Sequence, residues 1–128
     1  MAAIDTNVLV RLVTRDDPSQ FEKAQAFVHK HQPVLVTQLS VLELVWVLMS
    51  RYGLDKEKVY QVVQTLLEMV ELDVQEPPIL EAALKTWKGS KADFADCFIL
   101  ETVKASQGGT PLGTFDKTLG RLEGCKKL

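Results

Sequence analysis

Apolar residues in this chain fall into two patterns: short bursts of three or four, and longer stretches that repeat every three or four positions. The first burst, residues 2–5, reads as a short buried strand, and residues 6–13 turn directly into a helix. Asp17-Pro18 is an N-cap followed by proline at the first helical position, where no backbone N–H is needed. The helix it opens runs to about Lys30, with Phe21, Ala24 and Val28 on one face. Residues 34–36 form a second strand. Residues 39–52 predict a helix that is apolar nearly all round and stopped by Gly53. Asp55 caps the next helix, where Val59, Val62, Leu66 and Val70 recur near the helical period. Residues 72–74 are a third strand, and Pro77-Pro78 opens a helix reaching about Trp87. Residues 93–106 are another helix, ended by Gly108-Gly109. A fourth strand at 110–114 and a last short helix at 116–122 follow. Strands alternating with helices imply an α/β fold with a parallel, helix-flanked sheet. The strands are short and poor in β-branched residues, so helix dominates.

Composition narrows the class. The chain has 128 residues, 46% hydrophobic and 25% charged, which predicts one folded globular domain over residues 1–128. The longest uninterrupted apolar run, residues 44–49, is far too short to span a bilayer. The N-terminus lacks a basic segment and carries Asp5 almost at once, unlike a secretory signal. Cys97 and Cys125 form neither a CxxC pair nor a disulfide framework, so a reducing, cytoplasmic setting fits, with Cys97 as a small core residue. A net charge of −2 argues against coating nucleic acid by bulk electrostatics. The charge is uneven, however: residues 1–76 hold 7 basic and 11 acidic side chains, and residues 77–128 hold 8 and 6. Lys85, Lys88 and Lys91, just ahead of Asp93, are either a solvated helix face or contacts for phosphate.

Four motifs place acids at the edges of apolar elements: Ile4-Asp5-Thr6-Asn7, Ser40-Val41-Leu42-Glu43, Asp93-Phe94-Ala95-Asp96 and Thr114-Phe115-Asp116. Each has two readings. Carboxylates suit helix N-termini, where they accept hydrogen bonds from free N–H groups, and Ser40-x-x-Glu43 has the form of a capping box, with Thr37 as a competing cap. Alternatively the acids meet. In open parallel sheets ligands sit beyond the carboxyl ends of the strands; Asp5 and Asp116 follow strands, and Glu43 and Asp96 lie in the first turns of helices. Glu43 strains the capping reading most, because residues 44–49 predict a largely buried helix around it. Asp93 and Asp96, three apart, project near one face. Oxygen donors around one cleft make a hard site suited to Mg2+ or Mn2+. Zinc would want His or Cys, and His29 and His31 stand isolated at a polar helix end. Such a site suits phosphodiester hydrolysis. Thr6, Asn7, Ser40 and Thr114 are placed either to orient ligands and waters or simply to cap and turn.

These motifs, in this order, resemble the PIN domain family, and within it the VapC-type toxins of toxin–antitoxin pairs. The matching residues are Ile4-Asp5-Thr6-Asn7-Val8-Leu9, Thr37 with Ser40 and Glu43-Leu44, Ala92-Asp93-Phe94-Ala95-Asp96-Cys97, and Thr114-Phe115-Asp116-Lys117. The resemblance covers essentially the whole chain. It implies a three-layer α/β/α fold with a mostly parallel central sheet, whose last strand would fall at 124–128. It implies endoribonuclease activity with Mg2+ or Mn2+, the quartet Asp5, Glu43, Asp96 and Asp116 as catalytic and metal-binding, Asp93 as a further ligand, and Thr114 as the family's small hydroxyl. It also implies homodimers and a small cognate antitoxin whose tail places a basic residue among the acids. RNA contacts would come from Arg11, Lys88, Lys91 and Lys117, with Lys85 and Trp87 near the same motifs. A non-catalytic PIN-like metal- or partner-binding module is the competing function. A phospho-acceptor receiver would want an acidic pair near the first strand, and a haloacid-type phosphatase an Asp where Asn7 stands.

Overall fold

The computed structural model describes all residues, Met1–Leu128, in two compact units, Met1–Gln75 and Glu76–Leu128. In the first, residues 2–4 run beside β1 (Val34–Val36), and β1 pairs in parallel with β2 (Leu72–Val74) in the register Val34↔Leu72, Leu35↔Asp73, Val36↔Val74. The expected strand at residues 2–5 is reduced to a single parallel bridge, Ala3 with Leu35, because Asp5 already accepts a helical N–H and turns the chain away. Parallel neighbours need crossovers. Helices α1 (Thr6–Thr14) and α2 (Pro18–His31) separate the N-terminal segment from β1; α3 (Gln38–Ser50) and α4 (Lys56–Glu68) separate β1 from β2. Val34, Val36, Leu9, Leu44, Leu48 and Val59 are fully enclosed at the centre.

Local signals set most boundaries. Asp5, Asp17, Thr37 and Asp55 each cap the following helix by accepting a backbone N–H, and Pro18 stands at the start of α2. Two expectations need correction. Helix α4 ends at Glu68 and buries Val59, Val63 and Leu66; Val70, beyond its end, is 82% exposed. Helix α3 is apolar all round yet not enclosed: Leu39, Trp46 and Met49 face solvent.

In the second unit α5 (Pro77–Lys88) packs on α6 (Phe94–Ala105). Trp87 meets Phe94 edge-on at 5.3 Å, and Phe94 meets Phe98 at 5.8 Å, a favoured aromatic geometry. A side chain at Gly109 would collide with the Val103 carbonyl, so the helix exit is reserved for glycine there. Strand β3 (Leu112–Thr114) pairs in parallel with β4 (Cys125–Lys127), the strand the resemblance places at 124–128. The helix expected at 116–122 is one 3-10 turn, Leu119–Arg121. It is too short to propagate as an α-helix, and Gly120 lets it approach Lys127 closely.

Candidate active site

In the first unit the acids are organised by hydroxyl groups. Asp5 Oδ1 accepts the Val8 N–H at 3.0 Å, which leaves its second oxygen open on an exposed side chain. The next residue, Thr6, donates its hydroxyl to Glu43 Oε1 at 2.7 Å and lies 3.3 Å from Ser40 Oγ. Ser40 is the one buried polar side chain of the protein. Thr37 Oγ1 stands 3.2 Å from Ser40 Oγ and accepts the Ser40 N–H at 3.1 Å. A chain of hydroxyls therefore runs from the cap of α3 across to α1 and ends on a carboxylate.

This overturns the capping-box reading of Glu43. Thr37 is the cap, Glu43 is the sixth residue of α3, and its carboxylate is committed to Thr6 on another helix. The expected burial is also wrong. Glu43 is exposed, because the stripe Leu39–Glu43–Trp46 is the outward side of α3.

Asn7 is exposed and makes no side-chain hydrogen bond. Arg11, expected to meet RNA, is engaged within the protein: Nη1 donates to Asp16 at 2.9 Å and to the Tyr52 hydroxyl at 3.3 Å, and Nε to Gln20 at 2.7 Å. Asp16 sits below the usual carboxylate range, chiefly through the hydrogen bond from Tyr52 and then that from Thr14.

In the second unit Asp93 caps α6, accepting the Asp96 N–H at 3.4 Å. Asp116 Oδ1 accepts the Leu119 N–H at 2.8 Å, while its own N–H donates to Thr114 Oγ1 at 3.0 Å. Thr114 thus fixes the turn that carries Asp116. The half-buried Asp96 is pushed up to about 6, first by burial, then by its hydrogen bond with Asp93, the charge of Asp93 and the charge of Asp116. Negative charge is concentrated here, the charges of Asp93 and Asp116 both acting on Asp96. The ion pairs Arg11–Asp16 and Lys104–Glu101 involve none of Asp5, Glu43, Asp93, Asp96 or Asp116. Lys88, Lys91 and Lys117 are exposed. Trp87 is withdrawn from the RNA-reading candidates, since it is 3% exposed in the α5–α6 core.

The donor set is all oxygen, and the negative charge gathered around Asp96 is what a hard cation would offset. Within neither unit, however, do three His, Cys, Asp or Glu side chains gather into a ready-made metal site. Cys97 is buried, and burial raises the Cys125 thiol above its ordinary value, so Cys125 offers no thiolate at neutral pH.

An α/β chain with capped acids after its strands and at the starts of its helices defines a class. The model of the PIN domain matches residues 2–124, and the chain belongs to the PIN domain family. Its six helices and short parallel strands form the α/β fold of that family. It is also similar to the VapC ribonuclease of Aquifex aeolicus (strain VF5), 29% identical over 112 residues that cover 85% of this chain and 82% of that protein.

The cleft residues Gln20, Lys23 and Phe27 on α2, which line a depression with Asp5 and Asn7, went unnoticed in the sequence. They stand in no motif, and only the packing of α2 on α1 places them beside Asp5.

Proposed function

We propose that the chain is a Mg2+- or Mn2+-dependent endoribonuclease, the toxin of a toxin–antitoxin pair, with both units acting as one PIN domain. The observation that carries this reading is the Thr6–Glu43 hydrogen bond at 2.7 Å. An exposed carboxylate that neither caps its helix nor meets a cation is held by the hydroxyl next to Asp5. A hydroxyl partner of this kind is what holds a metal-ligating carboxylate in one orientation. Family membership and similarity to a VapC ribonuclease support the same reading.

In this reading Asp5, Glu43, Asp96 and Asp116 hold the ion and Asp93 supplements them. The bound ion would lower the pKa of a water and stabilise charge on the phosphate oxygens. Thr6 orients Glu43, Ser40 and Thr37 support Thr6, and Thr114 orients the Asp116 turn. Asn7, with no partner in the protein, is available to position a water. Lys88, Lys91 and Lys117 meet backbone phosphates. A small antitoxin with a basic residue among the acids would silence the site by replacing the cation. The exposed apolar residues Leu39, Trp46 and Met49 of α3 suit a homodimer contact. No helix is long and apolar enough to cross a membrane.

The test is cleavage of single-stranded RNA in Mn2+, with EDTA and Asp5→Asn as controls. Both controls abolish cleavage, and Glu43→Gln folds normally without turnover. Cleavage that persists in EDTA and in Asp5→Asn refutes the metal mechanism. The competing reading is a non-catalytic PIN-like metal- or partner-binding module. Tight Mn2+ binding without cleavage of any RNA would select it.

A further inference from the structure

Asp5 and Asn7 open onto a cleft of about 590 Å³ between α1 and α2, lined also by Arg11, Gln20, Lys23 and Phe27. Resting on the ribonuclease reading, we propose that this cleft is a nucleobase subsite, which takes one unstacked base of single-stranded RNA beside the phosphate handled at Asp5. The volume falls within the range of about 300–1,000 Å³ common for small-ligand clefts.

Its lining has the three parts that recognition of single-stranded RNA uses: an aromatic face, polar groups for base edges and a cation for phosphate. Phe27 is 40% exposed. Its ring rests on His31 at 4.5 Å between centroids, tilted by 43°, so one flank is supported while the other remains for stacking. Gln20 has its carbonyl oxygen occupied by Arg11 Nε at 2.7 Å. That bond fixes the amide and leaves its NH2 group as a donor toward base carbonyl or ring-nitrogen acceptors. Asn7 keeps both of its amide functions unpaired. Arg11 has its charge offset by Asp16 at 2.9 Å, whereas Lys23 is exposed and in no ion pair. Lys23 is therefore the uncompensated cation of the cleft and the group placed to meet a phosphate flanking the bound base.

The experiment measures fluorescence anisotropy of a labelled single-stranded RNA octamer with the full chain in Ca2+, alongside mapping of cleavage sites in Mn2+. Thermal melts establish that each variant is folded. Phe27→Ala and Lys23→Glu each raise Kd about tenfold, in line with loss of one stacking or phosphate contact, and both blunt the base preference next to the cut. Lys30→Glu, on the same helix but outside the cleft, changes Kd less than twofold. Binding within twofold of wild type for both cleft variants overturns the proposal, as does a loss in Lys23→Glu no larger than in Lys30→Glu with Phe27→Ala silent. Unchanged binding with intact cleavage removes the subsite and leaves the nuclease. Variant-sensitive binding by a wild-type protein that cuts nothing removes the nuclease and leaves the subsite. A wild type that neither binds nor cuts overturns both.

Discussion

Glu43 carries one carboxylate through three environments: an apolar helix, an exposed position and a hydroxyl partner 37 positions away in sequence. A surface hydrogen bond of this kind contributes on the order of 1 kcal/mol to stability, but it can matter far more to a group that must hold one orientation. Thr6→Val is therefore expected to leave the melting temperature nearly unchanged and to lower kcat/KM on RNA about tenfold in Mn2+. Thr6→Ser, which restores the hydroxyl, returns most of it. Equal losses in both variants would show that the hydroxyl alone does not account for the effect. Asp96 makes a different prediction. Its folded carboxyl titrates at about 6, above the ordinary carboxylate near 3.9, so the folded state binds the proton more tightly than the unfolded chain. The stability it contributes is complete below about pH 4 and disappears as pH rises through about 6. Urea denaturation in EDTA should show wild type losing stability relative to Asp96→Asn between about pH 4 and pH 7. A parallel pH dependence of the two would remove this account of Asp96.

At the scale of elements, capping was legible because it is local. Asp17-Pro18 and Asp55 each act on an N–H three residues on, a distance that sequence inspection spans. The helical stretch at Gln38–Ser50 was legible too, yet its environment was not. Its residues are apolar on every side, so the pattern holds no information about which side is enclosed. The structure buries Val41, Leu44, Val45 and Leu48 and leaves Leu39, Trp46 and Met49 outside. If that outer face is the contact between copies, Trp46→Lys changes monomer stability by less than about 0.5 kcal/mol, as surface substitutions do, and converts a dimer to a monomer by light scattering. A variant that remains dimeric places the contact elsewhere. The short elements were misjudged for a related reason. Residues 2–5 and 116–122 carry the right residue types, but a bridge or a single 3-10 turn depends on one or two hydrogen bonds that composition does not specify.

For the molecule as a whole, the uneven charge is the most useful property. Basic residues outnumber acidic ones only over residues 77–128, and exposed Lys91 and Lys117 lie close in sequence to Asp93 and Asp116. If they meet phosphates, Lys91→Glu and Lys117→Glu should each weaken RNA binding across sequences. Each should also flatten the dependence of log Kd on log salt, by about 0.7 per lost contact on a single strand. A loss of affinity with an unchanged salt slope would argue for misfolding or a non-ionic role. The family match runs over residues 2–124 and so over parts of both units.

The identity of the acids, their place at element ends, the α/β alternation and the caps are all contained in the amino-acid order, because each depends on residues within one turn or one strand of one another. Only the tertiary structure decided that Glu43 answers to Thr6 rather than to its own helix, that Trp87 is core, and that Phe27 and Lys23 border Asp5. Those outcomes depend on which helix packs against which, and that choice is made by the summed burial of many side chains rather than by any motif.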